Sequence, residues 1–253
     1  MKRAVGPLVI CVIAAWSSIA VAQARSFGGA NEAYKDGRYG DAIRGYESVV
    51  AGGIYHESLF YNLGNAYFRN GQLGPAIYNY ERALRIDPRF EDAAFNLDLA
   101  RAAVAERVVD RLEGAEQASV WIRAVTYFST AQHIVGFLIV NAVFFLALIA
   151  IRFLSTGVPR TLLIVTNAFV GVALAVCLVL VIGHIYYLQR IDLGIVVSDR
   201  AFLREGADES LAERAEVHPG LRVRILDHDT GWLQVRLSNG VEGWIPQHAI
   251  GEL

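Results

Sequence analysis

Residues 134–151 read IVGFLIVNAVFFLALIAI and residues 162–182 read LLIVTNAFVGVALAVCLVLVI; neither run holds a charge. As helices at ~1.5 Å per residue they extend about 27 and 32 Å, close to the ~30 Å hydrocarbon layer of a bilayer. The short segment between them contains Arg152, Gly157, Pro159 and Arg160 and reads as a turn. The pair is expected to form a two-helix transmembrane hairpin, residues 134–153 and 161–185. A hairpin returns the chain to the side it left, so whatever precedes it and whatever follows it share one compartment.

Residues 1–24 supply the address. Lys2 and Arg3 precede a short apolar stretch from Leu8 to Ala15, and Ala22-Gln23-Ala24 gives the small-x-small pattern of a secretory cleavage site. The alternative is an uncleaved anchor helix, and both versions export Arg25 onward. Arg152 and Arg160 at the hairpin turn agree, because basic turns stay cytoplasmic. The expected location is therefore a bacterial inner membrane with both soluble parts periplasmic and the turn near 152–160 cytoplasmic.

The 253 residues leave room for two small soluble domains beside the hairpin, and the 54% hydrophobic content is explained by the apolar runs. A net charge of −2 offers no electrostatic case for nucleic acid. Cys11 and Cys177 both lie in apolar runs, which excludes a disulfide framework or a cysteine zinc site in the soluble parts. No cofactor and no metal site is expected.

A repeat follows the signal. Residues 57–90 read ESLFYNLGNAYFRNGQLGPAIYNYERALRIDPRF. Small residues at Gly64, Ala76 and Ala83 let two antiparallel helices approach, Tyr67 and Tyr80 fill the space between them, and Gly71 and Pro88 end the two helices. These landmarks resemble the tetratricopeptide repeat, a helical hairpin of 34 residues. Shifted back by 34, Asn31 matches Asn65, Gly37 matches Gly71, Ala42-Ile43 matches Ala76-Ile77, and Tyr46-Glu47 matches Tyr80-Glu81. This first repeat, about 23–56, is worn at its start, where Phe27 and Gly28-Gly29 are expected to replace a full helix. Residues 91–111 keep a helical period through Ala93, Phe95, Leu97, Leu99 and Ala100 and read as a capping helix, completing an all-α repeat domain over 25–111. The resemblance implies an inner face lined by first helices, with Phe27, Asn31, Tyr34, Lys35, Tyr61, Asn65, Phe68 and Arg69 as groove candidates. Asn can bond an extended peptide backbone, and Lys or Arg a carboxylate; the two asparagines also fit a purely structural role in the repeat.

Residues 112–133 form the juxtamembrane linker. Glu113 to Gln117 is a polar joint, and Trp121, Tyr127 and Phe128 gather where aromatics favour the headgroup zone or pack on the repeats. Ser129 or Thr130 is placed to cap the first membrane helix. Within the hairpin Asn141, Thr166 and Asn167 are the polar residues, and the two asparagines are positioned to bridge or to meet a partner helix. The runs hold no carboxylate or arginine, which argues against a transporter or channel; His184 falls near the exported end and reads as interfacial.

Residues 193–253 change character to short alternating strands. The stretch GWLQVRLSNGVEGWIP, residues 231–246, carries a strong hairpin signal at Ser238-Asn239-Gly240. Its G-W-x-x-V…G-x-x-G-W pattern resembles the bacterial SH3 domain family, which implies a C-terminal all-β SH3-like barrel. Alternation places Leu233, Val235, Leu237 and Ile245 on the core face, and Trp232, Gln234, Arg236 and Trp244 on the other. The second set is the candidate aromatic groove for a peptide or glycan; the same tryptophans also suit bracing the barrel or packing on the repeat domain. The family's frequent link to cell-wall binding implies peptidoglycan as a ligand.

His218, His228 and His248 lack metal-ligand spacing, and no nucleophile elbow or H-E-x-x-H occurs, so the chain is not expected to be an enzyme. The sum is a multidomain membrane protein. Its order of signal, tetratricopeptide repeats, two membrane helices and bacterial SH3 domain resembles the BatE-type proteins of bacterial aerotolerance operons. That resemblance implies a scaffold in envelope stress tolerance, acting beside membrane-anchored von Willebrand factor A proteins and a MoxR-type ATPase. A cell-wall sensor or tether using the SH3 domain is the alternative.

Overall fold

The computed structural model describes residues 26–107, 125, 127–190 and 192–253. The expected signal, the polar joint at 113–117, Trp121 and the end of the expected capping helix lie outside them.

Five helices form the repeat domain: α1 over residues 26–35, α2 Tyr39–Ala51, α3 Glu57–Arg69, α4 Leu73–Ile86 and α5 Glu91–Arg107. Gly37 and Gly71, 34 positions apart, follow α1 and α3 with φ of 76° and 83°, a left-handed turn that a side chain would strain. Gly64 lets α3 and α4 meet: a Cβ there would lie 2.7 Å from the Tyr80 ring. One apolar stripe per helix builds the core, including Ala42, Ile43, Tyr46, Leu59, Leu63, Ala76, Ile77, Tyr80 and Ala83. The start of the first repeat differs from expectation, because residues 26–35 are helical straight through Gly28-Gly29. Ala30 and Ala33 are buried against the second helix and the Phe27 ring lies 5.7 Å from that of Tyr46, so tertiary contact outweighs the low helix propensity of glycine. α5 buries Ala93, Leu97 and Ala100 but exposes Phe95 and Leu99, which departs from the expected apolar face.

The apolar runs are two long antiparallel helices, α6 Thr130–Phe153 and α7 Val158–Arg190. Each holds a span long and apolar enough to cross a membrane. Ser129 caps α6 with a full capping box, its Oγ accepting from the Gln132 amide while Gln132 Oε1 accepts from the Ser129 amide. Asn141 and Asn167 do not bridge: Asn167 is buried and its Oδ1 has no hydrogen-bond partner. At the other end His133 Nε2 and His184 Nδ1 both donate to the Val125 carbonyl, at 3.0 and 2.8 Å. That fixes the His184 proton on Nδ1 and leaves Nε2 to accept from Thr130 Oγ1 at 3.0 Å. His184 is thus a buried clamp between the helices, a role that its place near a helix end did not suggest. Phe128 lies under the Arg89 guanidinium at 5.6 Å, tying the start of the hairpin to the repeat domain.

Seven strands follow: β1 Leu193–Val196, β2 Ala201–Arg204, β3 Glu213–Val217, β4 Arg222–Asp229, β5 Trp232–Arg236, β6 Glu242–Pro246 and β7 Ile250–Glu252. All pairings are antiparallel in the order β3-β2-β6-β5-β4-β1-β7. β3 and β7 are not joined, so this is an open antiparallel sheet and not the closed barrel the sequence suggested. The free β7 edge is occupied otherwise, since Tyr78 Oη from α4 donates to the Glu252 carbonyl at 2.9 Å. Leu233, Val235, Leu237 and Ile245 are all buried in the sheet core.

Candidate binding surfaces

The repeat-domain candidates fall into two groups. Asn31 and Asn65 are committed to the fold. Tyr46 Oη donates to Asn31 Oδ1 at 2.7 Å, and Tyr80 Oη donates to Asn65 Oδ1 at 2.8 Å, the same bond one repeat later. Asn96 of α5 adds Nδ2 to Asn65 Oδ1 at 2.8 Å and to Tyr61 Oη at 3.3 Å. Burial pushes Tyr46 up to about 12 and also raises Tyr80, so both stay neutral donors. Tyr34, Lys35 and Arg69 lie toward the other end of the first helices. The Tyr34 and Tyr39 rings meet edge-on at 5.5 Å, and Arg69 Nε donates to Tyr39 Oη at 3.1 Å with its guanidinium over that ring. Lys35 forms an exposed pair with Glu32. Phe68 is half-buried and packs against the core of the second repeat. What remains open for a ligand is an aromatic and basic corner made by Tyr34, Lys35, Tyr39 and Arg69, smaller than the sequence-derived groove.

On the SH3 face the four candidates do share one side. Gln234 is paired with Trp244, Trp232 with Pro246, and Arg236 with Glu242 across β5 and β6. Trp232, Gln234 and Trp244 are half-buried. Arg236 is tied to Glu242, Nε to Oε1 at 2.6 Å, which leaves the two indoles and the Gln234 amide as the available groups.

Residues 58–90 match the Tetratricopeptide repeat family model, and residues 199–251 match the Bacterial SH3 domain model. The chain thus carries both domains, separated by two apolar helices. No curated protein matches the chain significantly. The match covers the second repeat only; the first is a repeat by geometry, through the Tyr46–Asn31 bond that copies Tyr80–Asn65.

Sequence reasoning raised packing of the SH3 domain on the repeats through Trp232 and Trp244 but missed the residues that form the joint. In the first repeat Glu47 accepts from Tyr67, twenty positions on. One repeat later Glu81 takes the equivalent partner, Arg101, at 2.5 Å, and a second from the SH3 domain, Arg222, at 2.6 Å. The Glu81 side chain is only 9% exposed, and the two guanidinium groups supply its solvation. Close packing surrounds this bridge. A Cβ on Gly74 would lie 2.5 Å from the Val197 carbonyl oxygen, and one on Gly251 would lie 2.6 Å from the Tyr78 ring. Ile195 of β1 is buried with Ala76, Ile77, Tyr80, Leu97 and Ala100 of the repeats. The one available signal was Glu81 itself, a carboxylate inside an apolar helical stripe; the identity of its second partner, 141 positions away, was not readable.

Proposed function

We propose that this protein is an adaptor of the bacterial inner membrane that presents its repeat and SH3 domains, as one periplasmic unit, to protein partners. The observation that carries the reading is the joint: the Glu81–Arg222 pair, the Tyr78–Glu252 bond and the shared apolar packing of Ile195 bind the two domains to each other. A jointed unit held against a membrane hairpin suits holding partners in register, and it acts by binding and not by catalysis. The domain order supports a place in an aerotolerance or envelope-stress complex, with von Willebrand factor A membrane proteins and a MoxR-type ATPase system as partners. Crosslinking in intact membranes followed by affinity recovery tests this. The expected result is a von Willebrand factor A protein among the crosslinked species; its absence, with the chain intact and in the membrane, counts against the complex.

A second reading is supported by the half-buried Trp232 and Trp244 flanking Gln234, together with the bacterial SH3 match. It makes the protein a peptidoglycan tether or sensor. Co-sedimentation of the detergent-solubilised full chain with purified peptidoglycan tests it: binding lost in Trp232→Ala and Trp244→Ala supports it, and no sedimentation rejects it.

A further inference from the structure

A cleft of about 380 Å³ opens where the second helices of the two repeats meet the SH3 edge. It falls within the ~300–1,000 Å³ range of small-ligand sites. Both domains wall it, with Glu47, Tyr67, Tyr78, Asn79 and Arg82 from the repeats and Gly251 from β7.

Two of these groups are incomplete as they stand. Arg82 is half-buried and stacked on aromatics, its guanidinium carbon 3.8 Å from the Phe60 ring centroid and 5.2 Å from that of Tyr78. Among the described residues it has no carboxylate partner and no hydrogen bond, in contrast to Arg101 and Arg222 nearby, which share Glu81. Burial pulls its pKa below the ordinary arginine value, the sign of a charge that has lost water and gained no counterion. Arginine stays charged all the same, so its guanidinium donors are open to an acidic acceptor. Asn79 is 3% exposed; its Nδ2 donates to the Pro75 carbonyl at 2.8 Å, while its Oδ1 has no donor. A half-buried cation with no anion among the described residues, and a buried acceptor without a donor, belong to two residues that line one cleft and describe a ligand that brings both.

We propose that this interdomain cleft binds a short extended peptide segment through a carboxylate, which the Arg82 guanidinium receives while a peptide N–H is offered beside Asn79. The aromatic wall of Tyr78 suits the peptide's apolar atoms. Glu47 also lines the cleft, hydrogen-bonded by Tyr67, so a compact multivalent anion meets a carboxylate there as well as the arginine. The ligand is thus a peptide acid and not phosphate. Because both domains build the walls, occupancy also closes the joint, which is how a partner's tail would be read by the pair and by neither domain alone. The proposal rests on the adaptor reading, but its test does not use the partner complex.

The experiment is calorimetric titration of the full chain in detergent with N-acetyl-Ala-Ala-Ala as the free acid, its C-terminal amide, and N-acetyl-Ala-Glu-Ala-amide, which moves the carboxylate to a side chain. The free acid is expected to bind at least about tenfold more tightly than the neutral amide, the scale of a charge-assisted pair. The Glu peptide tells a side-chain carboxylate from a terminal one; whichever acid wins, Arg82→Gln is expected to reduce it to the level of the amide. Inorganic phosphate at equal concentration is expected to displace neither. Equal binding of acid and amide, no binding of any peptide at millimolar concentration, or displacement by phosphate overturns the proposal. So does loss of the acid preference in Arg69→Gln with its retention in Arg82→Gln, which would move the site to the Tyr34–Arg69 corner. If Arg82→Gln does not fold, the acid–amide comparison on the unaltered chain still decides. A failed titration beside a successful membrane crosslink removes this site and leaves the adaptor standing.

Discussion

Glu81 is the residue on which the two soluble domains turn, and a double-mutant cycle at its bridge tests that role. The carboxylate is 9% exposed, while Arg101 and Arg222 are 42% and 49% exposed at the side chain. Fully buried pairs lose ~3–5 kcal/mol when one partner is removed, and exposed pairs are worth ~0.2–1 kcal/mol. With one partner dry and the other half wet, each leg belongs between these limits, about 1–2 kcal/mol. Glu81→Gln is expected to destabilise the soluble unit by about 2–3 kcal/mol, less than the sum of two isolated legs because the arginines regain water. Arg222→Gln alone is expected to cost about 1 kcal/mol, and the pair to show a coupling of about 1 kcal/mol. Chemical denaturation of the full chain in detergent measures the stabilities, and hydrogen exchange at Ile195 and Gly251 reports the joint directly, since both lie on the docked edge. Protection there should fall in either variant while that of Leu233 and Ile245 in the sheet core is kept. A coupling below about 0.3 kcal/mol, with unchanged exchange at the docked edge, would falsify the idea that this bridge holds the domains together.

Gly64→Ala places a Cβ 2.7 Å from the Tyr80 ring, so the ring must move and strain its bond to Asn65; a loss of about 1–3 kcal/mol in thermal unfolding is expected despite the better helix propensity of alanine. Tyr46, pushed up to about 12 by burial, holds its proton more tightly folded than the ~10 of an unfolded tyrosine, so its contribution is intact below pH 10 and lost as the pH rises through 12. Melting temperatures at pH 8 and pH 11.5 should therefore show a smaller alkaline drop in Tyr46→Phe than in the unaltered chain, and an equal drop would remove Tyr46 as the cause. For topology, single cysteines at Ser155 in the turn and Ser210 in the SH3 domain, on a Cys11→Ser, Cys177→Ser background, should divide: an impermeant maleimide entering the periplasm labels position 210 and not 155. Labelling of 155 reverses the orientation.

The coarse architecture was legible because it is written in periodicities that do not depend on distant contacts. Two uncharged runs of 18 and 21 residues, a 34-residue recurrence of Tyr-Glu, Gly and Ala-Ile, and the alternation of Leu233, Val235 and Leu237 each specify one kind of element. The same local logic failed where a neighbour overrode it. Gly28-Gly29 reads as a helix breaker, yet the flanking Phe27 and Ala30 hold the helix against Tyr46. Asn31 and Asn65 read equally as groove residues and as structural repeat residues, and only the fold shows their Oδ1 acceptors taken by Tyr46 and Tyr80. His184 reads as a lone residue at a helix end until His133 and the Val125 carbonyl come to it across the hairpin.

The set of parts, their order and the apolar lengths that fit a membrane follow from composition and spacing along the chain. Packing in three dimensions leaves the sheet open at β7, covers that edge with Tyr78, spans the domains with Glu81 and gives Arg82 no anion among the described residues. Charge partners are chosen by proximity in space. Between Glu81 and Arg222 the chain crosses the apolar hairpin before it comes back, and no local pattern carries that distance.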